Sequence, residues 1–163
     1  MARRTFFSFH YKKDVWRANI VRNSWVTKPN REAAGFVDAA AFEEVEKGGD
    51  SAIKRWINNQ LDGTSVTVVL IGTETNQRDY VKYELQKSYE KGNGMLGIYI
   101  HKIKDKDQNT SAKGSNHFGE IGKDSNGNAV YFSSAYTTYD WVDDDGYNKL
   151  GDWIEAAAKR AGR

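Results

Sequence analysis

The run Ser65–Ile71 (Ser-Val-Thr-Val-Val-Leu-Ile) narrows what this chain can fold into more than any other segment. It is nearly all β-branched, and Gly72-Thr73 follows at once. A half-exposed strand alternates apolar with polar residues. A mostly apolar run like this, bounded by turn residues, fits a strand covered on both faces, as in a parallel sheet flanked by helices. The rest of the chain agrees. Arg4–Phe9 reads as a short strand and Met95–Ile100 as another buried one, with Ala34–Val37 as a weak second strand and Val130–Phe132 as a last one. Asp14 caps a helix running through Val21. The spacing of Ile53, Trp56, Ile57 and Leu61 gives a second helix, Arg78–Lys91 a third ended by Gly92-Asn93-Gly94, and Gly146–Ala161 a fourth. Strands alternating with helices predict an α/β domain with helices on both faces of a parallel sheet.

A chain of 163 residues is long enough for one domain with a real core, expected to span residues 1–163. The polar stretch 102–128 is too long for an ordinary connection and reads as a functional lid or an irregular insertion. Aromatic residues are plentiful and the net charge is only +2, with no dense basic run, so nucleic acid is not an expected partner. With no cysteine, disulfides, thiolate nucleophiles and thiolate zinc sites are excluded. His10, His101 and His117 lack metal-ligand spacing, so no metal site is expected. Phe6–Phe9 is far too short for a signal or membrane segment, and a cytoplasmic protein with no membrane partner is expected.

In an open parallel sheet, ligands bind beyond the carboxyl ends of the strands, where the strand order switches. Those ends carry Ser8, Phe9, His10 and Tyr11, then Asp38, then Gly72-Thr73, then His101. The helix that follows Thr73 holds a misplaced charge. Tyr80, Val81, Leu85 and Ser88 share one helical stripe, and Glu84 lies inside it, whereas Lys82, Lys87 and Glu90 lie outside. Two readings stand for Glu84. Burial would raise its pKa and suit it to acid–base or cation-stabilising work. Alternatively it sits at the stripe edge and reaches solvent, Lys87 or Lys91. The chain has no phosphate loop and no dinucleotide glycine fingerprint. Asp143-Asp144-Asp145-Gly146 reads as the start of a helix rather than a calcium loop.

Two segments resemble TIR domains. Arg4-Thr5-Phe6-Phe7-Ser8-Phe9 followed by Asp14 looks like their opening strand and loop. Tyr80-Val81-Lys82-Tyr83-Glu84-Leu85 looks like their helix motif Trp-Cys-x-x-Glu-Leu, with Tyr80 and Val81 substituted and Glu84-Leu85 kept. The resemblance is closer still to the TIR-like proteins of Thoeris anti-phage systems. It extends to residues 21–28, 64–72, 90–93 and 139–149, in the same order over nearly the whole chain. It implies a flavodoxin-like three-layer fold around a parallel sheet of about five strands. It also implies an enzyme that takes NAD+, releases nicotinamide and forms a cyclic ADP-ribose isomer. That product would be a second messenger for a downstream effector, made when a phage protein or another sign of infection is sensed, and self-association is common in the family. NAD+ is then substrate and no cofactor is implied.

On that resemblance the catalytic residue is Glu84, and Ser8, Phe9, His10 and Tyr11 line the nucleotide pocket. Phe9, Tyr11, Tyr80 and Tyr83 are either stacking platforms for adenine and nicotinamide or plain packing residues. His10 and Arg78 are candidates for phosphate, Thr73 for ribose or phosphate, and Asp38 completes the substrate-binding candidates. Two other readings remain open at this point: a non-catalytic TIR-like interaction module, and a nucleoside deoxyribosyltransferase-like enzyme, which also places a glutamate at a sugar C1′.

Overall fold

The computed structural model describes residues 3–36 and 39–163. Its elements in chain order are β1 (Arg3–Ser8), α1 (Val15–Val26), β2 (Arg31–Ala34), α2 (Ala39–Lys47), α3 (Gly49–Leu61), β3 (Val66–Ile71), α4 (Asp79–Lys91), β4 (Gly94–Tyr99), β5 (Glu120–Lys123), β6 (Ala129–Tyr131), α5 (Phe132–Ala135), β7 (Thr138–Asp140) and α6 (Gly146–Arg160). Five strands form one parallel sheet in the order β2-β1-β3-β4-β7. All six residues of β3 are buried, and its one polar residue, Thr67, shares a hydrogen bond with Ser88 Oγ at 2.7 Å.

The period of two along the strands sorts the core into two faces. Phe7, Val68, Leu70 and Ile98 pack with Val21 and Trp25 of α1 and Leu150 and Ile154 of α6. On the opposite face, Val69, Ile71 and Met95 meet Val81 and Leu85 of α4, and Phe6 meets Ile53, Ile57 and Leu61 of α3. This is the three-layer α/β/α architecture. Helix α4 ends where expected, because Gly92 takes a left-handed conformation (φ 81°) and its N–H caps the carbonyls of Ser88 and Tyr89.

Several elements differ from expectation. The second strand is Arg31–Ala34 rather than Ala34–Val37, and Val37 lies outside the described residues. As an edge strand paired only with β1, it tolerates Arg31 and Glu32, and Gly35 (φ 87°) ends it. Helix α2 had no counterpart in the sequence reading. The expected last strand around Val130 belongs to a β5–β6 antiparallel hairpin outside the sheet, while the fifth sheet strand is β7, a half-buried Thr-Tyr-Asp segment.

Within the stretch 102–128, the one regular element among the described residues is β5. The second half of the stretch holds the first strand and the turn of this hairpin, anchored by buried Phe118 and Ile121 against Val81 and Leu85. Its first half is a strap tied to the carboxyl ends of β3 and β4. Buried Arg17 of α1 donates from Nε to the Ile103 carbonyl at 2.6 Å and from Nη2 to the Asn109 carbonyl at 2.9 Å. Thr73 Oγ1 donates to the Ala112 carbonyl at 2.6 Å, and the Ser111 amide to the His101 carbonyl at 2.9 Å. Among the described residues, no helix is long and apolar enough to cross a membrane.

Candidate active site

The sheet switches direction between β1 and β3, since the chain leaves β1 for β2 on one side and returns to β3 on the other. Ser8 is the last residue of β1, and it faces α4 because it lies two residues beyond Phe6 on the same side of the strand. Helix α4 presents Val81, Glu84, Leu85 and Ser88 inward, so the carboxylate sits on the buried stripe with only 3% of its surface exposed. Ser8 Oγ donates to Glu84 Oε1 at 3.2 Å. Burial pushes the Glu84 carboxyl up to about 8, opposed only in part by the Ser8 hydrogen bond. At neutral pH the carboxyl is therefore mostly the protonated acid. The alternative of Glu84 at a solvent-exposed stripe edge does not hold; Lys87 pairs with Glu90 instead, at 3.1 Å.

Glu84 forms part of the wall of a narrow pocket with Phe9, Tyr11, Arg78, Tyr80 and Val81. Its other wall was not anticipated: Phe42 comes from α2, and Ile53, Trp56 and Ile57 from α3. The Phe42 ring lies parallel to that of Tyr11 (centroids 4.3 Å, 5°), and Trp56 meets Tyr11 edge-on at 5.6 Å. The Tyr11 hydroxyl donates to the Gly35 carbonyl. Burial, then the nearby Glu84 carboxylate, raises its pKa far above the usual phenol range, so it stays a donor. The space left is about 30 Å3, enough for roughly one water molecule.

Asp14 occupies the N-cap position of α1, but its side chain makes no cap bond. It turns instead toward Thr75, whose Oγ1 lies 3.5 Å from Asp14 Oδ2 and accepts the Gly72 amide at 2.8 Å. Only glycine fits at position 72, since a Cβ there would lie 2.2 Å from Asp14 Oδ2. Burial raises Asp14 to about 6, partly offset by Arg17. Among the described residues, no group of three His, Asp or Glu side chains is placed to hold a metal ion.

Residues 6–105 match the family described as "Thoeris protein ThsB, TIR-like domain". The chain is also similar to a Bacillus cereus (strain MSX-D12) protein named "Putative cyclic ADP-D-ribose synthase ThsB1". The two are 42% identical over 191 aligned residues, an alignment covering 94% of this chain and 100% of the relative. The chain belongs to the ThsB TIR-like family. The matched region of this ThsB TIR-like chain runs from β1 into the strap. It therefore contains Ser8, Glu84 and every lining residue of the pocket.

The remaining candidates of this ThsB TIR-like chain fall elsewhere. Buried His10 does not line the pocket; its Nδ1 accepts the Lys13 amide at 3.2 Å, and burial, then Arg78, lowers its pKa. Thr73 is committed to the strap. Tyr83 faces α3: its hydroxyl donates to Asn58 Oδ1 at 3.2 Å, and Lys54 and Lys87 lie over its ring. One step along a helix rotates a side chain about 100°, which carries Tyr83 off the stripe of Glu84. Tyr80 lines the pocket with its ring while its hydroxyl donates to Asp50 Oδ1 at 3.1 Å. Asp38 lies outside the described residues.

Proposed function

We propose that this chain breaks the nicotinamide–ribose bond of NAD+ and closes the ADP-ribose portion into a cyclic isomer, with Glu84 at the ribose. The reading rests on one observation above all: a buried carboxyl, held by Ser8, in the pocket wall at the switch point of the sheet. The family membership and the name carried by the B. cereus relative support it.

The chemistry asks for such a group. The C1′–N bond breaks with its electron pair going to nicotinamide, a neutral pyridine that leaves without a proton. Positive charge develops on the ribose. A carboxylate beside it stabilises that cation, or traps it covalently as in glycosidases. Glu84 with a pKa near 8 is mostly neutral at pH 7 and ionises when the positively charged pyridinium of NAD+ arrives, so binding releases a proton. Ring closure then needs a hydroxyl of the same substrate to attack C1′, and its proton can pass to the Glu84 carboxylate.

Water must be kept from C1′ while this happens. The pocket is lined by rings, with Phe9, Tyr11, Phe42, Trp56 and Tyr80 available to stack on the two bases, and Arg78 available to a phosphate. A space of about 30 Å3 is far below the several hundred cubic ångströms of a typical ligand site. The Tyr11–Phe42–Trp56 wall therefore has to move to admit a dinucleotide. The cyclic product would act in the cytoplasm as a messenger to an effector protein. A phage component would serve as the trigger, and self-association of the chain would belong to the active state.

The test is mass spectrometry of small molecules from cells expressing the wild type or Glu84→Gln, with and without phage. A cyclic ADP-ribose species in infected wild-type cells alone supports the reading. Absence of any such product, with phage protection surviving the substitution, overturns it in favour of a binding module. Base exchange on free nucleosides by the isolated protein, with NAD+ untouched, overturns it in favour of a deoxyribosyltransferase.

A further inference from the structure

At the other end of the sheet from Glu84, the amino-terminal ends of β1, β2 and β3 border a groove of about 530 Å3. Arg3, Arg4, Arg31 and Arg163 line it, and Glu155 is the one acid among its lining residues. Arg3 and Arg31 are direct cross-strand partners. Like charges opposite one another on neighbouring strands are destabilising unless a counter-charge joins them. Arg3 has taken the available carboxylate: its Nε and Nη2 donate to the two oxygens of Glu155 at 2.5 and 3.0 Å, and its Nη1 to Ser65 Oγ at 2.7 Å.

Arg31 has no such partner. Its guanidinium lies over the Trp25 ring, 4.4 Å from the centroid. It also packs against Gly151, where a Cβ would come within 2.0 Å of Nη2. Among the described residues, no oxygen accepts a hydrogen bond from this guanidinium, and Arg4 forms no ion pair. Stacking fixes the orientation of Arg31 while leaving its donor fork unused. That is the preorganised state in which arginine takes a planar or tetrahedral anion in bidentate fashion.

We propose that this groove is a second binding site, separate from the Glu84 pocket, for a small ligand carrying a pyrophosphate group. The Arg31 fork takes one phosphate and Arg4 the other, while Arg3 is held by Glu155 and the Arg163 guanidinium donates away to the Lys91 and Gly92 carbonyls. The volume falls within the range of small-molecule sites. The shared chemistry is the pyrophosphate, whether free or borne by a nucleoside diphosphate.

Isothermal titration calorimetry of the full chain at low salt tests this with inorganic pyrophosphate, ADP and adenosine. Saturable binding of pyrophosphate and ADP, but not adenosine, is expected. Equal affinities would assign the free anion, and tighter ADP binding the nucleotide. Arg31→Gln should weaken pyrophosphate binding about tenfold, as loss of charge-assisted hydrogen bonds does. Glu155→Gln removes the competing negative charge and should tighten it, whereas simple loss of structure would weaken both variants. Glu84→Gln should leave it unchanged. No saturable binding to the wild type, wild-type affinity in both Arg31→Gln and Arg4→Gln, or loss of binding in Glu84→Gln would each overturn the proposal. Since Glu84→Gln removes the proposed catalytic group and not the groove, failure here leaves the NAD+ reading intact, and the reverse holds.

Discussion

Ser8 Oγ donates to Glu84 Oε1 across 3.2 Å, tying the carboxyl end of β1 to the middle of α4. This hydrogen bond lowers the Glu84 pKa against the upward push of burial. Ser8→Ala removes the donor, so the pKa rises further and less carboxylate is present at neutral pH. NAD+ cleavage should fall by about tenfold or more at pH 7, the scale of a lost hydrogen bond to a charged group. The acid limb of the pH–rate profile should move toward higher pH. An unmoved limb would mean that Glu84 is not the group whose ionisation limits the reaction.

Glu84→Gln separates catalysis from stability. Activity should fall by about 10²–10⁴-fold, as when an acid–base group is lost. Stability should move the other way with pH. The folded-state pKa, about 8, lies above the 4.5 usual for a glutamate, so the folded state holds the proton more tightly than the unfolded one. The contribution of Glu84 is thus fully present below about 4.5 and is lost as pH rises toward 8. The slope is at most about 1.4 kcal/mol per pH unit. Denaturation from pH 5 to 8 should show the glutamine variant gaining on the wild type as pH rises. Asp14, raised to about 6, gives both proteins a further decline of the same sign between about 4 and 6. A gap between the two proteins that is constant with pH would contradict the burial argument.

The parts of the fold legible in the sequence were those written as apolar pattern. The run Val66–Ile71 announced a central strand, and the stripe through Val81, Leu85 and Ser88 exposed Glu84 as a charge on the wrong side of its helix. Edge elements carry no such pattern. Strand β7 is held by pairing with β4, and its Thr-Tyr-Asp sequence is half-buried throughout, so Val130 looked more like a strand. Arg31 and Glu32 hid β2 for the same reason. The site was half visible. Trp56 falls on the apolar spacing that marks α3, and Phe42 lies in α2, which the sequence pattern does not mark. Their meeting over Tyr11 is a product of tertiary packing, which spacing along one helix does not encode. Tyr83 illustrates the converse, since its residue type suggested stacking while its helical angle turns it away.

The Tyr11–Phe42 stack gives a prediction about product rather than rate. Removing the ring in Phe42→Ala opens one wall of the pocket. The ring is only partly buried, and an aromatic pair is worth about 0.5–1.5 kcal/mol beyond its buried area. The fold should survive. Water then reaches C1′ more readily, and chromatography of the reaction products should show linear ADP-ribose rising several-fold relative to the cyclic form. An unchanged product ratio would remove Phe42 from the water-excluding wall.

Arg17 is buried on α1, yet its hydrogen bonds go to the strap rather than to its own helix. Two main-chain carbonyls, of Ile103 and Asn109, depend on its guanidinium, and Asp105 Oδ2 lies 3.9 Å from Nη2. Arg17→Met keeps the aliphatic stem but strands those carbonyls, at a cost of about 2–3 kcal/mol for hydrogen bonds to a charged donor. The sheet has its own core and should stay folded, while Thr73 and Ser111 still hold the far end of the strap. Local opening should therefore outrun global unfolding. Limited trypsin digestion reads this directly, since Lys102, Lys104, Lys106 and Lys113 lie in or beside the released segment. Cleavage there should appear in Arg17→Met well before the sheet is digested. Equal resistance in the two proteins would show that Arg17 does not hold the strap in place.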